Sequence, residues 1–393
     1  MRVLHFYRTY FPETQGGGEE VIRQICLNSR QHGVTSRVLT LCDEPSAAPL
    51  HRPEATVYQQ KRNLEIASCS MGLSAIAQFR RQVQWADVVH YHFPWPFADI
   101  CHYASQVDKP TVVTYHSDII RQQGLLRLYR PLMHQFLGSV SRIVATSPQY
   151  AATSPVLQRY ASKLDVIPIG ISEASYARPT RAALERAAAR WGQNFFLFVG
   201  VLRYYKGLRV LLEAVKDTPY RLIIAGKGPE EAGLKSYLER QRITNVVMAG
   251  HVCDEEKMAL LTLARAFVLP SCERSEAFGV SLLESAMCAR PMISTELGTG
   301  TSHVNRDGET GIVVPPHDAA ALRAAMHALA DDPERAGAMG LNARQRFESQ
   351  FRGSDMAASY VRLYRALLRE PAPLAPPRDT HPAANSMQTQ PVE

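Results

Sequence analysis

Twelve short apolar runs, alternating with segments of helical periodicity, constrain this chain more than any other feature of its sequence. Six lie in the first half: VLHFY (3–7), SRVLTL (36–41), DVVHYH (87–92), TVVTYH (111–116), RIVATS (142–147) and DVIPIG (165–170). Six follow: FFLFVG (195–200), YRLIIAG (220–226), NVVMAG (245–250), AFVLPS (266–271), PMIST (291–295) and GIVVP (311–315). Runs this short and this rich in Val, Ile and Leu read as strands buried on both faces, as parallel sheets require because crossover helices cover both sides. Strand and helix patterns in alternation define an α/β doubly wound chain. A chain of 393 residues exceeds the commonest single core, so two successive parallel sheets are expected, each centring its own domain.

The first half ends where DVIPIG runs into a segment bounded by Pro168 and Pro179, the expected crossing between domains. The reading places one α/β domain at 1–172, a second at 173–354, a helix packing across both at 355–369 and a tail at 370–393. Apolar residues at helical spacing mark that helix from Asp355 to Leu368. The tail, EPAPLAPPRDTHPAANSMQTQPVE, has no apolar period and is expected to be disordered. No short internal repeat is present. Ligands of open parallel sheets bind beyond the carboxyl ends of strands. Two such sheets facing each other would enclose a cleft, and site residues are expected just after strand ends.

Composition narrows the class. Hydrophobic residues at 46% and charged residues at 21% are those of a folded globular chain. Seven scattered cysteines, with no Cys-x-x-Cys pair or zinc-spaced His/Cys cluster, point to reduced thiols in the cytoplasm. The run at 3–7 is far shorter than a signal peptide's apolar region or a membrane span. The net charge of +7 is uneven: from Ile119 to Lys163 there are six Arg or Lys and no Asp or Glu. Such a stretch favours an anionic neighbour. Within it, GLLRLYRPLMHQFLG (124–138) sets Arg127, Arg130 and His134 on one side of a helix and Leu125, Leu128, Leu132 and Phe136 largely on another, with Pro131 between. That pattern suits peripheral contact with an anionic inner membrane, and equally a solvated helix over a core. No aromatic-interleaved basic motif supports nucleic-acid binding.

The densest chemical signal is SEAFGVSLLESAMCARPMIST, which follows the strand AFVLPS and carries Glu276 and Glu284. The layout predicts strand, loop, then a helix starting near Gly279, whose free amides at Phe278, Gly279 and Val280 would hold a diphosphate. Eight residues of helix rise about 12 Å, enough for the two carboxylates to flank a diphosphate. Arg203 and Lys206 follow the strand FFLFVG and offer cations to the same anion. Gly16 and Gly17 predict a loop after the first strand where backbone amides could approach a ligand. There is no GxGxxG, which argues against a dinucleotide oxidoreductase. His116 ends the strand TVVTYH and points toward the cleft, with Asp118 a weaker neighbour, whereas His5, His90 and His92 read as structural. No Asp-x-Asp motif occurs, so no metal-bridged diphosphate and no cofactor is expected.

Together the segments GGGEEVI (16–22), TYHSD (114–118), VLRYYKGL (201–208), AGKGPEE (225–231), AGHV (249–252) and the glutamate pair resemble glycosyltransferase family four. The resemblance covers the chain to about residue 368 and implies the GT-B fold, two facing Rossmann-like domains with a deep cleft. It implies that Glu276 contacts sugar hydroxyls, Glu284 the ribose, and Arg203 and Lys206 the diphosphate. Gly226 belongs to the nucleotide-sugar site, Val252 lies near the base, and His116 lies near the transferred sugar. Many members carry Arg directly after the strand's glycine, where this chain has Val201; Arg203 then supplies that charge. The implied reaction is transfer with retention of anomeric configuration and without metal. RTYFPET, GVLRYYKGL and TELGTGTSHV are similar to bacterial mannosyltransferases of O-antigen and exopolysaccharide assembly. That likeness implies GDP-mannose as donor and a glycan or polyprenyl-diphosphate-linked acceptor. A UDP-sugar-dependent enzyme, a nucleotide-sugar 2-epimerase and a non-catalytic sugar-binding protein on the same scaffold are the competing readings.

Overall fold

The computed structural model describes residues 1–66, 69–121 and 123–369; the expected tail at 370–393 lies outside them. Ten strands belong to the first half: β1 (Arg2–Phe6), β2 (Thr35–Cys42), β3 (Leu50–His51), β4 (Thr56–Lys61), β5 (Leu64–Ile66), β6 (Cys69–Met71), β7 (Val88–Phe93), β8 (Thr111–Tyr115), β9 (Arg142–Ala145) and β10 (Leu164–Val166). Eight form one sheet in the order β10-β9-β8-β7-β1-β2-β4-β3, and β5 pairs with β6 as a separate hairpin. The second sheet holds β11 (Phe196–Val199), β12 (Leu222–Ala225), β13 (Val246–Gly250), β14 (Ala266–Leu269), β15 (Met292–Thr295) and β16 (Gly311–Val314), in the order β13-β12-β11-β14-β15-β16.

All twelve expected strands are present, and their inner members are buried on both faces; every residue of β7 is buried. Two expectations need correction. The first sheet is not wholly parallel, because β3 runs antiparallel to β4. The four strands from Leu50 to Met71 also lack an apolar run: β4 fully buries only Val57, as a strand near the sheet edge does. DVIPIG, expected as a strand to Gly170, stops pairing at Val166, two residues before Pro168, which has no N–H for a ladder.

In each sheet the strand order reverses beside its first strand, at β1/β7 and at β11/β14. Such switch points open crevices at the carboxyl ends of the strands. The chain passes between the sheets twice, side by side: Ile171 N donates to Phe351 O at 2.9 Å and Gly353 N to Ile171 O at 2.9 Å. A Cβ on Gly170 would lie 2.3 Å from Arg352 O, so only glycine lets the strands of the crossing meet. The helix Gly353–Arg369 then packs against the helix Gly17–Ser29. Its Tyr360 reaches Thr114 Oγ1 at 2.8 Å and its Tyr364 reaches His90 Nδ1 at 2.7 Å.

The basic helix spans Gln123–Ser139 with Pro131 inside it. Met133, Phe136 and Leu137 form its buried face, whereas Leu125 and Leu128 point outward beside exposed Arg127. The expected separation of basic and apolar sides is therefore not formed. No described helix is long and apolar enough to cross a membrane.

Candidate active site

Glu276 sits in the loop after β14, and the helix Val280–Met287 begins only past Gly279. Gly279 has φ +80°, outside the helical region and favoured by glycine; a Cβ there would lie 2.8 Å from Leu269 Cδ2. The helix thus starts beside Gly279 as expected, and the eight-residue helical rise expected between Glu276 and Glu284 is not formed. Only Val280 to Glu284 is helical, about 6 Å of rise, and the loop sets the rest of the separation. The TELGTGTSHV segment braces that loop, with Thr299 Oγ1 donating to Glu276 O at 2.8 Å and Gly300 N to Ala277 O at 2.7 Å.

Each glutamate is paired with a lysine. Glu276 Oε2 accepts from Ser271 Oγ at 3.1 Å and from Lys206 Nζ, with the two charged side chains only 9% and 11% exposed. Burial pulls the Lys206 ammonium down, but attraction to Glu276 and to Tyr205 together carries the net shift upward. Lys206 ends a single turn, Tyr204–Lys206, closed by Gly207 at φ +65°. A Cβ on Gly207 would lie 1.9 Å from Pro270 O, so this glycine clamps the lysine loop onto the glutamate loop. Glu284 Oε1 accepts from Lys257 Nζ at 2.9 Å. Burial lowers Lys257 and Glu284 raises it, again with a net upward shift. Among the described residues, Glu276 Oε1 and Glu284 Oε2 meet no hydrogen-bond donor, which leaves one oxygen of each carboxylate for a ligand's hydroxyls.

The other expected residues of this half fall out differently. Arg203 precedes the Tyr204–Lys206 turn with its side chain exposed, so only Lys206 of the two cations meets Glu276. Gly226 is explained by loop packing, since a Cβ there would lie 1.9 Å from Gly200 O. Val252 is half-buried after β13 against the C-terminal core, and Phe278 is buried.

Across the cleft, Gly16 and Gly17 do not form a free loop. Gly16 is the cap and Gly17 the first residue of the helix Gly17–Ser29. A Cβ on Gly17 would sit 3.7 Å from Val280 Cγ2, so the first residues of two helices meet here. Each helix start presents unsatisfied amides and a positive dipole end, an arrangement that favours an anion nearby.

His116 follows β8, with its amide donating to Phe93 O at 2.9 Å and its Nε2 3.0 Å from His92 Nδ1. Burial holds its imidazole down to about 4, and the charge of Arg8 adds to that shift. Asp118 Oδ1 accepts from Tyr115 OH at 2.9 Å and Ser154 Oγ at 2.7 Å, while Oδ2 lies 3.4 Å from Arg274 Nη2. Arg274 also donates to the carbonyls of Leu297 and Gly298, each at 3.1 Å, and Thr153 Oγ1 donates to Gly298 O at 2.6 Å. Asp118 therefore clasps the loop that carries Glu276. Sequence reasoning missed Lys257, Arg274, Ser271 and Arg8; Lys257 and Arg274 are single charges whose partners come from distant segments.

A buried pair is costly to break on one side only. Lys206→Met leaves the Glu276 carboxylate with Ser271 alone, and unfolding in urea should show a loss of about 3 kcal/mol. An unchanged midpoint would mean that solvent already screens the pair.

Comparison with known proteins follows the same division. Residues 15–175 match the Glycosyltransferase Family 4 model and residues 182–346 the model for Glycosyl transferases group 1. The chain is 50% identical over 351 residues to the D-rhamnosyltransferase WbpZ of Pseudomonas aeruginosa, covering 89% of this chain and 92% of that protein. It is 43% identical over 372 residues to the O-antigen chain mannosyltransferase C of Escherichia coli, covering 94% and 99%. The solved sucrose-phosphate synthase of Thermosynechococcus elongatus shares the fold, with a TM-score of 0.77 at 21% identity over 93% of this chain and 98% of that one. With two facing Rossmann-like sheets and relatives matched along nearly their whole length, the chain belongs to the family-four glycosyltransferases and is an enzyme of the GT-B fold.

Proposed function

We propose that the enzyme transfers a hexose of manno configuration from a GDP-sugar to a polyprenyl-diphosphate-linked or oligosaccharide acceptor in bacterial surface polysaccharide synthesis. The observation that carries the reading is the pair of buried carboxylates, each tied to a lysine through one oxygen and open at the other, beside two adjoining helix N-termini. A sugar–diphosphate–ribose chain has complementary parts: hydroxyls at both ends and an anion between them. Glu276 takes the sugar hydroxyls and Glu284 the ribose, while the amides of Phe278, Gly279 and Val280 with Lys206 and Arg203 take the diphosphate. Likeness to an O-antigen mannosyltransferase supports mannose. Likeness to a D-rhamnosyltransferase supports its 6-deoxy counterpart, which differs by one hydroxyl.

In the reaction the bond from the sugar's anomeric carbon to the diphosphate oxygen breaks, and negative charge gathers on the departing diphosphate. Fixed cations and amides stabilise that charge most in the transition state. The acceptor hydroxyl attacks from the same face and its proton passes to a leaving-group oxygen, which retains configuration. The protein's own cations supply the positive charge, so EDTA should not stop the reaction.

Release of nucleoside diphosphate from GDP-mannose, GDP-D-rhamnose and UDP-glucose, with and without lipid-diphosphate acceptor and with EDTA throughout, tests this reading. Acceptor-dependent GDP release is expected, with Glu276→Gln lowering kcat/KM on the order of 100-fold. Release only from the UDP-sugar would discard the GDP-hexose donor, and loss in EDTA would discard the metal-free route.

Peripheral binding to the cytoplasmic face of an inner membrane is part of the proposal. Leu128 is 82% and Leu73 81% exposed, and Leu64, Ile66, Ile100 and Leu125 are exposed with them. They lie on neighbouring elements: the helix Pro96–Ala104 contacts both β6 and the helix Gln123–Ser139. Exposed Arg127 and Arg130 share the helix with Leu125 and Leu128, and mixed apolar and basic surface suits an anionic bilayer. Sedimentation with phosphatidylglycerol vesicles should show binding that falls at least about tenfold in a Leu125→Ser, Leu128→Ser double variant. Equal binding by both proteins would remove the membrane from the account.

A further inference from the structure

The residues behind His116 form a chain that the family roles described above do not use. Period-two alternation places His90 and His92 on the same face of β7. Register puts His5 of β1 opposite His90, and Thr114 of β8 opposite His92. His116 follows Thr114 by two residues and falls on the same face. The result is a row of imidazoles, with His116 Nε2 at 3.0 Å from His92 Nδ1 and His92 Nε2 at 3.1 Å from His5 Nδ1. His90 stacks on His92 with ring centroids 4.4 Å apart. Both of its nitrogens are taken, by Tyr364 OH and Thr114 Oγ1, each at 2.7 Å. Thr114 in turn meets Tyr360.

His5, His90 and His92 bring one ring nitrogen each within 4.8 Å of one another, yet both nitrogens of His90 and of His92 are already engaged. A metal needs lone pairs converging on one point, whereas these rings are stacked or tilted and spend their nitrogens on one another and on the helix Gly353–Arg369. Every member is neutral near pH 7. Burial holds His5 down to about 3 and His90 and His92 well below the usual imidazole range, with neighbouring histidines adding to the shift of the latter two. Arg8 and Tyr7 are the other titratable groups beside His116.

A neutral imidazole has one donor nitrogen and one acceptor. Two N–H···N bonds in series can therefore be ordered in only two ways, all donors toward the cleft or all away from it. Turning over one ring alone sets donor against donor or lone pair against lone pair. We propose that His92 and His5 are positioning residues that keep His116 from changing tautomer alone and hold it in one of these two orders, committing its Nε2 to the chain so that it meets the transferred sugar through Nδ1. The inference rests on the cleft being the sugar-transfer site proposed above. His116 acts there as an oriented hydrogen-bonding group, and no proton is gained or lost by the chain in the reaction.

The test is two-bond 1H–15N correlation spectroscopy on the full chain labelled with 15N-histidine, comparing wild type with His92→Phe and His92→Gln. Wild-type His116 should show one neutral tautomer at pH 7. In His92→Phe its nitrogens should move to the tautomer average of a free imidazole, and His92→Gln, which keeps a donor and an acceptor, should restore part of the bias. Transfer kinetics should show kcat lower on the order of tenfold in His92→Phe with donor KM little changed. An unaltered His116 spectrum in His92→Phe would overturn the lock. A changed tautomer with unchanged kcat would overturn its link to the sugar while leaving the proposed reaction intact. Absence of transfer by the wild type itself would count against the reaction, and the spectra would still decide the lock.

Discussion

A lysine and a glutamate buried against each other, Lys206 and Glu276, set the terms for the rest of the cleft. Neither charge is tolerable alone at that depth, because desolvation costs several kcal/mol per ion unless a close partner offsets it. The pair forms only if two loops from different strands are held together, and Gly207 against Pro270 and Ser271 beside Glu276 hold them. Glu284, within the helix Val280–Met287, repeats the device with Lys257. A carboxylate fixed through one oxygen keeps the other in a set direction, so the site is organised before a ligand arrives, which is the condition for electrostatic stabilisation without reorganisation.

The second half of the cleft is joined to the first by equally specific contacts. Asp118 reaches Arg274, two residues from Glu276, and the guanidinium of Arg121 stacks 3.3 Å above the ring of Tyr204. Behind the cleft, Tyr360 and Tyr364 carry the C-terminal helix into the polar row of the first sheet. The helix that ties the two crossings of the chain together thus also contacts the wall that supports His116.

The fold was legible because parallel strands buried on both faces leave continuous apolar runs, and twelve such runs marked all six strands of the second sheet and six of the eight in the first. Strands β3 to β6 were not legible, since a short edge strand or exposed hairpin has no inner face to demand apolar residues. The helix start near Gly279 was legible, because glycine is disfavoured inside a helix and suits its ends, but the path of the loop that carries Glu276 leaves no periodic signal. Lys257 and Arg274 lie 27 and 156 residues from the acids they meet, and single charges of that kind carry no periodic signal. The histidines were visible one by one, but their alignment depends on the register of β1 against β7, which no local pattern encodes. On the helix Gln123–Ser139 the expected stripe did not form, because the inward face is Met133, Phe136 and Leu137 while Leu125 and Leu128 point out, and what the helix packs on decides that.

The central claim is that the two lysine-tied carboxylates bracket a nucleoside diphosphate sugar. A crystal structure of the enzyme with an intact, non-transferable GDP-mannose analogue tests it most directly. The account predicts sugar hydroxyls on Glu276, ribose hydroxyls on Glu284 and the diphosphate at the start of the helix Val280–Met287. A nucleotide bound elsewhere, or one whose sugar and ribose both turn away from these carboxylates, would contradict it.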